Sequence, residues 1–130
     1  MTVGAHAVNL ANKWLDMLAG TAFSAPGTTA VKLHTGDPGS AGTSNASAET
    51  TRKALTWSAA SAGSKAITTT LPQWATWAAG SETLTHLSIW DSTTVGSFLF
   101  SVVLTASKSI TNGDTLNITT MTVAMTPLAA

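Results

Sequence analysis

Two histidine–aspartate pairs are the residues best placed to do chemistry: His34 with Asp37, and His86 with Asp91. Such a pair could hold a metal ion or relay a proton, because imidazole changes charge near neutral pH and a carboxylate can orient it. Neither pair has a third partner at recognisable spacing. The chain carries no His-Glu-x-x-His, no Gly-x-Ser-x-Gly and no EF-hand loop. Structural or solvent-exposed histidines are therefore the expectation. Gly63-Ser64-Lys65 is superficially like a phosphate loop, but it lacks the preceding glycine at the required distance and a Ser or Thr after the lysine. No catalytic residue, cofactor or metal is expected, and neither is enzymatic activity.

The tryptophans are the other candidates. Trp57, Trp74, Trp77 and Trp90 fall in the part of the chain that reads as β. An indole face can stack on a sugar or a base, and it can equally fill a core or a subunit interface. Trp74 and Trp77 lie in Leu71-Pro72-Gln73-Trp74-Ala75-Thr76-Trp77, an irregular segment, so at least one of them is expected at the surface. Core or subunit-interface packing is preferred over glycan binding.

Composition narrows the classes. The 130 residues include six acids and six bases, for a formal net charge of zero. Without a basic excess, nucleic-acid binding is not expected. Charged residues make up 9% of the chain, against roughly 25% in ordinary soluble domains. Ser and Thr replace them, and a near-neutral surface of this kind offers little electrostatic resistance to association. Hydrophobic residues at 44% allow one packed core. There is no cysteine, so disulfides and thiolate chemistry are absent. No apolar run approaches the about 18 residues needed to span a bilayer, and the first residues lack the pattern of a secretory signal.

These residues must be positioned by a helix followed by strands. Val8, Leu10, Ala11, Trp14, Leu15 and Leu18 recur at three- and four-residue spacings, which predicts an amphipathic helix over 5–19 ended by Gly20. Its apolar face, anchored by Trp14 with Leu10 and Leu18, either packs on the chain's own sheet or docks on a neighbouring subunit. The first strand, Ala30–Thr35, points Val31 and Leu33 inward and Lys32 and His34 outward. Residues 36–50 form a Gly/Ser-rich loop expected to be exposed and to order only against a partner, with Asp37 and Pro38 as candidate contacts. Further strands are predicted at Lys53–Ser58, Lys65–Thr70, Thr83–Trp90, Ser97–Leu104 and Thr115–Met125. Ser97–Leu104 is apolar on both faces, which predicts a central strand. Asn112-Gly113 predicts a hairpin turn. A change of parity near Thr119–Thr120 predicts a bulge. The whole, 1–130, reads as a single mainly β domain: an antiparallel β-sandwich, jelly-roll or immunoglobulin-like, over 30–125 with one N-terminal amphipathic helix.

Several short motifs occur in a characteristic order: Gly20-Thr21-Ala22-Phe23-Ser24-Ala25-Pro26, Leu33 to Gly39, Arg52 with Trp57-Ser58-Ala59-Ala60, Thr85-His86 with Trp90-Asp91, Gly96-Ser97-Phe98-Leu99, and Asn112 to Leu116. In this order the chain, over roughly residues 10 to 125, resembles a family of small virion structural proteins of tailed bacteriophages, often labelled tail fibre or minor tail proteins. The Gln73–Trp77 stretch departs from the family pattern. The resemblance implies a non-enzymatic virion component on the particle exterior, with other virion subunits as partners. The compact chain, without repeats or heptads, suits a capsid decoration protein that clamps the major capsid protein as a homo-oligomer. A tail fibre protein, or a module binding a host-surface glycan through Trp74 and Trp77, is the alternative.

Overall fold

Leu87, Ile89, Val31 and Leu33 make the centre of the molecule because they alternate along two long antiparallel strands. The computed structural model of the chain describes residues 3–68 and 70–125. The ends of the expected 1–130 domain, and Thr69 of the expected third strand, lie outside the described residues. In chain order the strands are β1 (Gly4–Ala5), β2 (Thr29–His34), β3 (Lys53–Leu55), β4 (Ser64–Ala66), β5 (Gln73–Trp74), β6 (Glu82–Trp90), β7 (Phe98–Ile110), β8 (Leu116–Asn117) and β9 (Thr122–Ala124). Five of them form one antiparallel sheet in the order β1-β7-β6-β2-β3, while β4 with β9 and β5 with β8 form two short ribbons. The mainly β, antiparallel class is thus present, with the second layer built from ribbons.

One face of the five-stranded sheet carries the main core. Val31 pairs with Ile89 and Leu33 with Leu87, and these residues pack with Trp74, Trp77, Leu116 and Ile118 from the ribbons and their connections. A register shift between Leu84 and His86 lets Leu84 join the same face. The bulge therefore lies in β6. Around Thr119–Thr120, where it was expected, the chain instead leaves one ribbon for the other.

The opposite face is covered by a loop. His34, expected to point to solvent, is completely buried there with Ser88, beside His86, Trp90 and Ser101. Their cover is the segment 36–50. Pro38, Gly42 and Ser47 are buried, and Thr35 and Ser47 donate backbone hydrogen bonds to the carbonyls of Asn45 and Leu33. The expectation of a loop that orders only against a partner is thus corrected. Much of the segment is exposed, residues 43–46 among them, but it is ordered on the chain's own sheet: Pro38, Gly42 and Ser47 point inward, and small residues permit that close packing. Gly42 is the decisive case, with φ +71° and room so tight that a Cβ would lie 2.4 Å from the Phe98 ring.

Two further expectations change. β7 does lie between two strands, β1 and β6, but it continues to Ile110, and among the described residues its outer neighbour is the two-residue β1, so it is not buried on both sides along its length. Val103 is consequently half exposed. The Thr111–Asp114 turn forms, with Asp114 Oδ2 accepting from the Thr111 amide at 2.9 Å. It does not make a hairpin, because β8 pairs with β5.

Candidate functional site

The N-terminal arm begins with three anchors on the edge of the sheet. The His6 amide donates to the Leu99 carbonyl at 2.7 Å, Asn9 Nδ2 donates to the Phe98 carbonyl at 2.8 Å, and the His6 ring meets Phe98 edge-on. His6 also caps the helical stretch, its Nδ1 accepting from the Asn9 amide at 3.1 Å. From there the chain winds as one π-type stretch (Ala7–Ala11), one α-helical turn and a half (α1, Asn12–Asp16) and a final 3₁₀ turn (Met17–Ala19). Gly20 ends it in the left-handed conformation, as its position predicts.

The arm follows the amphipathic pattern without burying it. Leu10 is the one buried residue of the helical stretch. Trp14 is 39% exposed, Leu15 64% and Leu18 88%, and Val8 and Met17 are also largely exposed. Isolated exposed leucines are ordinary, but a contiguous apolar surface on one short element is the usual mark of an interaction site. Beside it lies an open groove of about 760 Å³ between the arm, the 23–29 connector and the β4–β9 ribbon. Leu10, Trp14, Phe23, Trp57, Phe100 and Met125 are among the residues lining it, as is Lys65. An apolar groove of this kind fits a protein segment or another apolar partner, and it brings no cluster of titratable groups together.

The residues singled out from sequence thus divide. Leu10 and Trp14 line one groove, and Leu18 lies exposed on the same arm. Trp74 and Trp77 do not belong to any surface: they are 3% and 2% exposed, with their indole N–H groups donating to the carbonyls of Thr51 and Gly80. Thr76, between them, has φ +55°, a turn that lets residues three apart both point inward. Their burial removes the aromatic platform for a glycan and their role at an interface. Asp37 and Pro38 are likewise engaged within the chain, Asp37 Oδ1 accepting from the Gly39 amide at 2.9 Å and Pro38 being buried. Met17, Phe23 and Met125 were missed. Met17 follows Trp14 by three residues and Met125 ends a predicted strand, so periodicity could have marked both, whereas Phe23 sits in a connector that carries no periodic signal.

The histidine pairs also resolve. His34 does not meet Asp37. Its Nδ1 lies 2.8 Å from the Ser44 carbonyl and its Nε2 2.7 Å from Ser88 Oγ, which accepts a further bond from Trp90 Nε1 at 2.8 Å. A serine next to a histidine is the pairing of a nucleophile and its base. Here both are wholly buried, so no substrate atom can approach the hydroxyl. Burial lowers the His34 pKa from its ordinary value, against the opposing effect of the Ser44 bond. Asp91 serves the turn after β6, its Oδ1 accepting from the Ser97 amide at 2.7 Å. Arg52 stacks 3.8 Å from the Trp90 ring centre and donates to the carbonyls of Ser92 and Val95 in the same turn. No group of three or more His, Asp or Glu side chains among the described residues is placed to hold a metal ion, and no helix among them is long and apolar enough to cross a membrane.

Comparison with known proteins adds one finding. The family model described as Podophage GP4 fiber I protein gp80 matches residues 5–126, which takes in the arm, the sheet and both ribbons. No curated protein matches the chain.

Proposed function

The chain belongs to the podophage GP4 fiber I protein gp80 family, a family of tailed-phage virion structural proteins, and from that membership we propose that it is a non-enzymatic fibre subunit on the outside of the particle, attached through its N-terminal arm. The observation that carries the attachment is the arm itself: Trp14, Leu15, Met17 and Leu18 are apolar, adjacent and exposed, next to an apolar groove. Burying such a surface against a neighbouring subunit removes apolar area from water at about 25 cal/mol per Å². The partners are other virion subunits, further copies of this chain included.

Shell decoration, with the major capsid protein as neighbour, is the second reading. Low charge and a small compact sheet favour it, since both suit many copies packed on a lattice. The family description names a fibre, which is why the fibre is preferred. Counting copies of the chain per purified particle by quantitative mass spectrometry separates the two. A small multiple of the tail symmetry supports a fibre. Hundreds of copies would overturn it in favour of decoration.

A further inference from the structure

The loop over the His34 face is held to the sheet by a chain of hydrogen bonds with no place for another proton. An indole N–H can only donate and a carbonyl can only accept, so the directions follow. Trp90 Nε1–H donates to Ser88 Oγ, Ser88 Oγ–H donates to His34 Nε2, and His34 Nδ1–H donates to the Ser44 carbonyl of the loop. Each hydrogen has one acceptor, and His34 is neutral. A proton added at Nε2 would turn it into a second donor to Ser88 Oγ. The Ser88 hydrogen would then need an acceptor in a site closed to solvent.

The surroundings make that proton costly. His86 stands directly opposite His34 in the β2–β6 register. It is 8% exposed, its Nδ1 is 2.8 Å from Thr85 Oγ1, and its Nε2 is buried with no hydrogen-bond partner. Lys32 and His86 both oppose a positive charge on His34. Of the other charged and titratable groups around the cover, Glu82 accepts from Ser47 and the Ala48 amide and so tethers the end of the loop, Asp37 accepts from the Gly39 amide within it, Asp91 accepts from Ser97, Arg52 stacks on Trp90, and His6 meets Phe98. Beneath His34 lie the sheet and the main core. The loop pairs with β2 through an isolated bridge, His34 with Ala46, so it can lift to admit water without breaking the ladders between the strands of the sheet.

We propose that the segment 36–47 is a proton-sensitive latch, closed over the sheet while His34 is neutral and released when His34 takes up a proton. Release uncovers Phe98, a buried apolar ring against which Gly42 of the loop packs. The Ser44 bond persists on protonation and resists release, whereas loss of hydration at the buried imidazole drives it, and burial is the larger effect.

Hydrogen exchange on the whole chain, read by mass spectrometry at about pH 7.5 and about pH 5.0 and corrected for intrinsic rates, tests this. The loop amides of Gly42, Ser44 and Ser47, which donate to Gly39, Pro38 and Leu33, should lose protection at least about tenfold in acid, while the β6 amides keep theirs. In His34→Gln the loop should exchange alike at both pH values. Equal loop protection at both pH values in the wild-type chain overturns the proposal, as does equal loss in loop and β6. An undiminished acid response in His34→Gln also overturns it. If His34→Gln fails to fold, the wild-type contrast between loop and β6 still decides.

Discussion

Trp14 sits in the most regular apolar pattern of the chain and is left partly in solvent, whereas Trp74 and Trp77 sit in its least regular segment and are buried. Periodicity measures which residues share a face. It does not say whether the chain has anything to put against that face. The arm has an apolar face and only Leu10 reaches the interior. The Pro72–Trp77 segment has no face, yet its two indoles each bury roughly 150–250 Å² and find carbonyl acceptors. A helix that keeps its apolar side exposed is therefore the better interface candidate, and the irregular tryptophans are the core.

The contrast breaks most visibly at Trp77. Trp77→Ala should destabilise the chain by about 3–5 kcal/mol, measured by urea unfolding, because it empties the core and orphans the Gly80 carbonyl. A loss below about 1 kcal/mol would place Trp77 outside the core. Gly42→Ala should cost about 1–3 kcal/mol in the same assay, since it combines a positive φ with a Cβ driven into Phe98. A neutral result would return the loop to the mobile segment that its composition suggests.

Acid should come next in size. His34 is held neutral by burial, so its pKa in the fold lies below the unfolded value. Well above about pH 6.5 neither state binds the proton and this residue makes stability independent of pH. Below it the unfolded chain binds the proton first, so stability falls as pH drops toward the folded pKa. Melting temperature against pH should slope downward there in the wild-type chain, and the slope should flatten in His34→Gln.

The sequence made much of this legible and hid the rest for identifiable reasons. Val31, Leu33, Leu87 and Ile89 alternate cleanly, and the β2–β6 pair follows. The same alternation placed His34 outside, because period two separates faces without telling which are covered; its acceptor on Ser44 and donor on Ser88 are ten and 54 residues away. Gly39 and Gly42 read as flexibility, but they supply the left-handed turns by which the loop folds back on the sheet. Asn112-Gly113 announced a turn, and only the ribbon pairing of β8 with β5 shows that it joins two different sheets. The second half of β7, Thr105–Ser109, is polar on both sides and gave no strand signal; pairing with the first residues of β6 extends it. At the candidate interface, Trp14 and Leu18 were readable as one face, while the groove beside them depends on Phe23 and Met125, which tertiary structure alone brings near.

The smallest expected change in stability gives the most direct test of the arm. Leu15→Ser with Leu18→Ser alters two side chains that are 64% and 88% exposed, and should leave unfolding within about 0.5 kcal/mol of wild type. Phage assembled with this variant as the only source of the chain should yield purified particles that carry little or none of it, by quantitative mass spectrometry. A variant that folds like wild type and is incorporated at wild-type copy number would contradict attachment through the arm.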